Sequence, residues 1–195
     1  MGDLVSEWVE RGKQRRAVFE ALRVPRTGGQ ILRFALAITP KITFQDVRHI
    51  LRKLGRLGGV VCLNPRERTG RIYVRSGIEL GGFRVNWETY CCVARAKARA
   101  SVLVEVGRQR IQLLKRPATA TGIKNRLRQD YPMSLNLAIE SLHDLKRRGL
   151  VDIIDRLPAG DRKVYGLTER GKLVVELLEK ANSVPDTQHS VLPPP

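Results

Sequence analysis

The chain has 195 residues, 42% apolar but only 5% aromatic, with 36 Lys and Arg against 19 Asp and Glu and a formal charge of +17. No stretch approaches the roughly eighteen apolar residues of a membrane-spanning helix, and the first residues are acidic and polar rather than a signal peptide, so a cytoplasmic, nucleoid-associated chain without a membrane partner is expected. So large a charge excess opposes compaction unless a polyanion is the usual partner, which puts nucleic acid first; Arg outnumbers Lys 26 to 10, favouring two-pronged contact with phosphate or guanine.

Ser6–Arg23 carries apolar residues at Trp8, Val9, Val18, Phe19 and Leu22 and reads as a helix interrupted near Gly12. Pro25 and Gly28-Gly29 punctuate the chain before a short helix over Ile31–Ile38, which Pro40 ends. Thr43 is the expected N-cap of a helix over Phe44–Leu57, with Asp46 placed to complement its free amides. In that helix Phe44, Val47, Ile50, Leu51 and Leu54 form one apolar stripe, while Gln45, Arg48, His49, Arg52, Lys53 and Arg56 fill the other face. Gly58-Gly59 stop it, and strands Val60–Leu63 and Arg71–Val74 flank a turn-rich basic tip from Asn64 to Gly70. Residues 86–100 read as a basic helical stretch. A helix over Leu103–Leu114, a short one over Thr121–Gln129 and a third over Leu135–Arg148, capped by Ser134 and closed by Gly149, come next. Strands Val151–Ile154 and Lys163–Leu167 then enclose a tip at Arg156–Asp161, and Thr168 caps a last helix over Glu169–Lys180. From Ala181 the composition turns to Ser, Asp, Thr and Gln and ends in Pro193-Pro194-Pro195, which predicts a disordered tail.

The order of elements repeats because the sequence does. Ser6, Val9, Glu10, Gly12, Gln14 and Arg15 return as Ser101, Val104, Glu105, Gly107, Gln109 and Arg110; Thr27-Gly28 returns as Thr121-Gly122, Ile42–Leu57 as Met133–Arg148, and Gly70-Arg71-Ile72-Tyr73 as Asp161-Arg162-Lys163-Val164-Tyr165. A foldable segment of roughly ninety residues is therefore expected twice. The reading divides the chain into a first domain over 1–77, a largely helical linker over 78–100, a second domain over 101–180 and a tail over 181–195. The expected class is mainly α with small β-hairpins (α+β).

Leu142-His143-Asp144-Leu145-Lys146-Arg147-Arg148-Gly149-Leu150-Val151, followed by Tyr165-Gly166-Leu167-Thr168-Glu169-Arg170-Gly171-Lys172, resembles the winged helix-turn-helix regulators of the MarR, PadR and ArsR kind. The first copy resembles them through Ile50-Leu51-Arg52-Lys53-Leu54, Gly58-Gly59-Val60 and Gly70-Arg71-Ile72-Tyr73, but has Arg75-Ser76 where the family pattern has Leu-Thr. The resemblance implies two tandem winged helix-turn-helix domains joined by a helical linker. It also implies a transcriptional regulator of double-stranded DNA, each third helix entering the major groove and each hairpin wing reaching flanking phosphates or the minor groove.

On that expectation Gln45, Arg48 and Arg52 face the bases, Lys41 and Thr43 lie near phosphate, and Arg66, Arg68 and Arg71 belong to the wing. In the second copy Asn136, Arg156, Arg162 and Lys163 are the counterparts, diluted by Glu140, Asp144, Asp155 and Asp161. Residues 1–77 hold 16 basic and 6 acidic side chains, residues 109–195 hold 15 and 10, so the first copy should supply most of the affinity and the second less, or a dimer surface. For each arginine a merely solvated helix face competes with this role. For the whole chain the competing functions are a non-catalytic assembly subunit of a polymerase, replication or chromosome complex, and an RNA-binding factor. The low aromatic content counts against single-strand binding, which uses stacking platforms.

No enzymatic signature emerges. Arg11-Gly12-Lys13-Gln14 lacks the upstream Gly and the Ser or Thr of a phosphate-binding loop. His49, His143 and His189 are scattered, and Cys62 with the adjacent Cys91-Cys92 makes neither a disulfide framework nor a zinc site. No cofactor or metal is therefore expected, and a homodimer or a protein complex is left open.

Overall fold

The computed structural model describes residues 2–78, 85–111, 118–157 and 162–183. Among them the protein is mainly helical, with one three-stranded and one two-stranded antiparallel sheet. It divides into two compact units, residues 1–79 with 180–195, and residues 80–179.

Unit 1 begins with α1 (Gly2–Glu10) and α2 (Lys13–Ala21), separated where Gly12 adopts extended backbone. After β1 (Arg26–Thr27) comes α3 (Gly28–Ile38), whose first turn is closed by a capping box: Thr27 Oγ1 accepts from Gln30 N, and Gln30 Oε1 accepts from Thr27 N. Thr43 and Asp46 close α4 (Phe44–Arg56) in the same way. Val47, Ile50, Leu51 and Leu54 of α4 are buried with Val18, Phe19, Leu22, Ile31 and Ala35 in one apolar cluster. Gly58 ends α4 at φ 72, a conformation glycine adopts without steric cost. Strands β2 (Val60–Cys62) and β3 (Ile72–Arg75) form a hairpin, and β3 also pairs with β1, Arg26 opposite Tyr73 and Thr27 opposite Ile72.

A buried arginine ties this unit together. Arg26 is 4% exposed, and its guanidinium donates to the carbonyls of Ala21 at 2.5 Å, Ala181 at 2.9 Å and Lys180 at 2.8 Å while stacking on the Phe34 ring. Ala21 ends α2, and Lys180 and Ala181 lie in the last turn of a helix ending at Asn182. Free carbonyls and the negative end of the helix dipole coincide at both places, so one cation satisfies two helix ends.

Unit 2 contains α5 (Trp87–Ala94), α6 (Lys97–Ile111), α7 (Ala120–Arg126), α8 (Leu135–Arg147), the hairpin of β4 (Val151–Leu157) and β5 (Arg162–Leu167), and the start of α9 (Glu169–Asn182). Asn86, Thr119 and Ser134 each accept a backbone N–H as N-caps of α5, α7 and α8. Leu103, Ile123, Leu142, Leu145, Leu150 and Leu178 are almost wholly buried.

The Thr-x-x-Gly exit from the second hairpin has a steric basis. Thr168 Oγ1 accepts from Gly171 N and donates to Gly149 O, joining the start of α9 to the end of α8. At Gly171 a Cβ atom would stand 2.0 Å from the Leu150 carbonyl oxygen, an approach that only glycine permits. Gly171→Ala should therefore destabilise the unit by about 2 kcal/mol, read as a lower thermal midpoint; an unchanged midpoint would show that the helix shifts freely.

The two units share several local solutions. Gly58 and Gly149 both take positive φ, 72 and 68, directly after their helices, and Thr43 and Ser134 both cap the 13-residue helix that precedes the hairpin of their unit. Tyr73 lies opposite Arg26, and Tyr165 N donates to Ala118 O, so the counterpart of Thr27 is Thr119 rather than the expected Thr121. Gly12 and Gly107 also part company: Gly12 separates two helices, whereas Gly107 lies inside α6 against Leu167 and Val175.

Other boundaries move for similar reasons. The expected linker over 78–100 falls mostly in unit 2, with Tyr90, Cys91 and Val93 buried, and its helix breaks between Ala94 and Lys97. The expected tail at 181 starts too early, because Ala181 is 2% exposed and α9 runs to Asn182. Helix α3 starts at Gly28, since the Thr27 cap overrides two glycines, and β1 had no periodicity by which to be read. Arg156 and Arg162 stand on strands rather than in the tip, opposite Lys163 and Leu157. The tip over 158–161, the expected helical residues 112–114 and the tail from 184 lie outside the described residues.

Candidate nucleic-acid interface

Helix α4 places its charges by simple geometry. At roughly 100° per residue, the buried stripe leaves Gln45, His49, Arg52 and Arg56 central on the opposite face, with Arg48 and Lys53 at its margins. All six are exposed, and none of the four cations is paired with a carboxylate among the described residues. The expected burial of Val47, Ile50, Leu51 and Leu54 and the expected exposure of Gln45, Arg48 and Arg52 therefore agree with the structure, while Phe44 departs from the stripe. Lys41 is exposed in the turn before the helix.

Thr43 does something narrower than contact phosphate. Its hydroxyl proton is given to Asp46 Oδ2 at 2.7 Å, and its oxygen accepts from Asp46 N, so it opens the helix rather than offering a donor outward. The Asp46 carboxylate, bonded first to the Thr43 hydroxyl and then to its amide, is held below its ordinary pKa. The cap is therefore intact above about pH 3.9, the ordinary Asp value, and is lost as pH falls through the lower folded value. The stability difference between the parent chain and Asp46→Ala should accordingly shrink as pH is lowered from 6 towards 2; a difference independent of pH would remove the carboxylate from the cap.

The glutamates of α1 and α2 are spent elsewhere. Glu7 pairs with Arg11, Glu10 with Arg16 and Glu20 with Arg23, all on α1, α2 and the turn that follows. Arg15 and Arg75 are committed to the rings of Trp8 and Phe19. What remains is the α4 face and a hairpin tip in which Glu67 stands among Arg66, Arg68 and Arg71. In that hairpin Asn64 organises the tip: its Oδ1 accepts from Ile72 N at 2.7 Å and its Nδ2 donates to Gly70 O. Arg71 Nε donates to Glu67 O, which holds Arg71 against the loop, while Arg66 and Arg68 are exposed.

Unit 2 presents a different surface. Asn136, Glu140, His143, Lys146 and Arg147 of α8 are exposed. Asp144, expected to be an open carboxylate facing phosphate, is instead held by Arg148 at 3.0 Å and Arg99 at 3.3 Å, and its bond raises the Arg148 pKa. Lys146 is paired with Asp152, whose pKa it lowers. On the hairpin Arg156 and Arg162 are exposed and Lys163 is half-buried. The cations of α8 are thus partly neutralised, unlike those of α4.

Phe44, His49, Lys53 and Arg56 extend the candidate site beyond the expected residues. The spacing of α4 already showed His49, Lys53 and Arg56 on the polar face, whereas Phe44 was assigned to the core stripe and is 48% exposed. Among the described residues no cluster of three or more His, Cys, Asp or Glu could hold a metal ion, and no helix is long and apolar enough to cross a membrane. The chain matches no protein-family model, no curated protein and no solved structure.

Proposed function

We propose that the chain is a sequence-specific double-stranded DNA-binding protein of the tandem winged-helix kind, acting as a transcriptional regulator, with unit 1 as the principal reader. The observation that carries this reading is the exposed cationic face of α4, none of whose four cations is paired with a carboxylate among the described residues, while Glu7, Glu10 and Glu20 are bound to other arginines and Asp46 to a helix cap. A helix about 10–12 Å across fits a major groove of about 12 Å. There Gln45 has the paired donor and acceptor that match adenine, and Arg48 and Arg52 the fork that matches guanine. Lys41, Lys53 and Arg56 would lie beside phosphate, and Arg66, Arg68 and Arg71 would extend the contact along the backbone.

Unit 2 supports a second role within the same protein. Its α8 cations are partly ion-paired, Glu140 is exposed, and Ile154 on the hairpin is 68% exposed, which suits a protein contact better than a phosphate contact.

Competition among duplex DNA, single-stranded DNA and RNA of equal length for the full chain tests the reading. Duplex should win by at least about tenfold at physiological salt. Equal or better competition by RNA would favour an RNA-binding factor, and no binding by any of the three would favour the assembly subunit.

A further inference from the structure

Phe44 stands out on the α4 face because its burial is unlike that of the stripe to which its spacing assigns it. Val47, Ile50, Leu51 and Leu54 are between 0% and 7% exposed, whereas Phe44 is 48% exposed. The core of unit 1 closes without it. Leaving half an aromatic ring in water beside Gln45 and Arg48 costs solvation and gains nothing for the fold.

Its backbone is nevertheless fixed. Phe44 directly follows Thr43, whose bonds with Asp46 lock the first turn of α4. The ring edge lies over the first turn of α3: a Cβ added at Gly28 would meet Phe44 Cε2 at 3.3 Å and Cζ at 3.5 Å. Gly28 thus leaves the ring its place, and one side of the ring is held against α3 while the other stays open. An apolar surface left half open at the N-terminal end of a cationic helix is the property to explain.

Resting on the duplex-binding reading above, we propose that Phe44 reads a thymine by packing its open ring surface on the base's 5-methyl group. The N-terminal residues of a helix seated in the major groove are those that come closest to base edges. Among the groups the four base pairs display in that groove, the thymine methyl is the apolar one. The cations around Phe44 supply the attraction that brings the helix to a polyanion, so the ring meets DNA rather than an apolar partner, which would have to desolvate those same charges. Gln45, Arg48 and Arg52 discriminate by hydrogen bonds; Phe44 discriminates by contact with a methyl.

The test begins with selection of bound duplexes from a randomised pool by the full chain. In the enriched duplex, deoxyuridine then replaces thymine one position at a time, which removes only the methyl group. The proposal expects a thymine whose replacement weakens binding about fourfold, the worth of one buried methyl. With Phe44→Ala the thymine-to-uracil ratio at that position should fall to about one, and with Phe44→Leu, which keeps an apolar side chain, it should fall between the two. Thermal melting checks that both variants fold; should the alanine variant fail to, the leucine variant carries the test by its reduced ratio. No uracil-sensitive position, or a sensitive one whose ratio is the same in both variants as in the parent chain, overturns the proposal while leaving duplex binding in place. No enrichment of any duplex by the parent chain overturns the DNA-binding reading itself.

Discussion

Reversing two charges, Arg48→Glu with Arg52→Glu, should reduce duplex DNA affinity by about a thousandfold at physiological salt. Each two-pronged arginine contact to guanine is worth about 1–3 kcal/mol, and two glutamates then face phosphate across the same gap. The fold should not suffer, because both side chains are exposed and neither bonds to another group among the described residues. An unchanged thermal midpoint beside lost binding would separate contact from folding. The paired change Arg162→Glu with Lys163→Glu in unit 2 should cost no more than about fivefold, in line with exposed rim charges. Equal losses from the two double variants would reverse the ranking of the units.

The largest stability effect should come from a buried residue outside that face. Arg26→Met keeps much of the apolar stem but removes the guanidinium, leaving the carbonyls of Ala21 and Ala181 without this donor, and that of Lys180 with the Ser183 hydroxyl, in a site only 4% exposed. Two stranded acceptors, one at each helix end, together with the lost charge should cost about 4 kcal/mol. At about 4–8 °C per kcal/mol for a domain of this size, the thermal midpoint of unit 1 should fall by about 20 °C. Arg26→Lys should recover part of the loss, since it restores charge but cannot fork towards several carbonyls. A drop equal to that of Arg26→Met would show that the planar fork, rather than the charge, holds the helix ends; no drop in either would dismiss the tie.

What could be read from the sequence was whatever depends on neighbours along the chain. Thr43 and Asp46 cap α4 as their spacing predicts, and the stripe of Val47, Ile50, Leu51 and Leu54 is buried as its period predicts. The stop at Gly58 and its partner at Gly149 were legible for the same reason. Pairings between distant residues were not. Strand β1 is only Arg26–Thr27, too short for any alternation, and exists because β3 lies beside it. Arg26 gave no sign that it would reach carbonyls at Lys180 and Ala181. Asp144 looked like an acid that would repel phosphate, yet Arg99, on another helix, neutralises it. Phe44 fitted the apolar period of α4, but the first position of a helix lies at the edge of the core, where period no longer decides burial. The candidate face was therefore visible in outline, and its aromatic member was not.

The salt dependence of duplex binding by the full chain tests the central claim most directly. If Lys41, Lys53, Arg56, Arg66, Arg68 and Arg71 each neutralise one phosphate, the logarithm of the association constant should fall against the logarithm of salt concentration with a slope of about −5. A slope no steeper than about −1, or none at all, would mean that the bare cationic ridge on unit 1 does not lie along a DNA backbone.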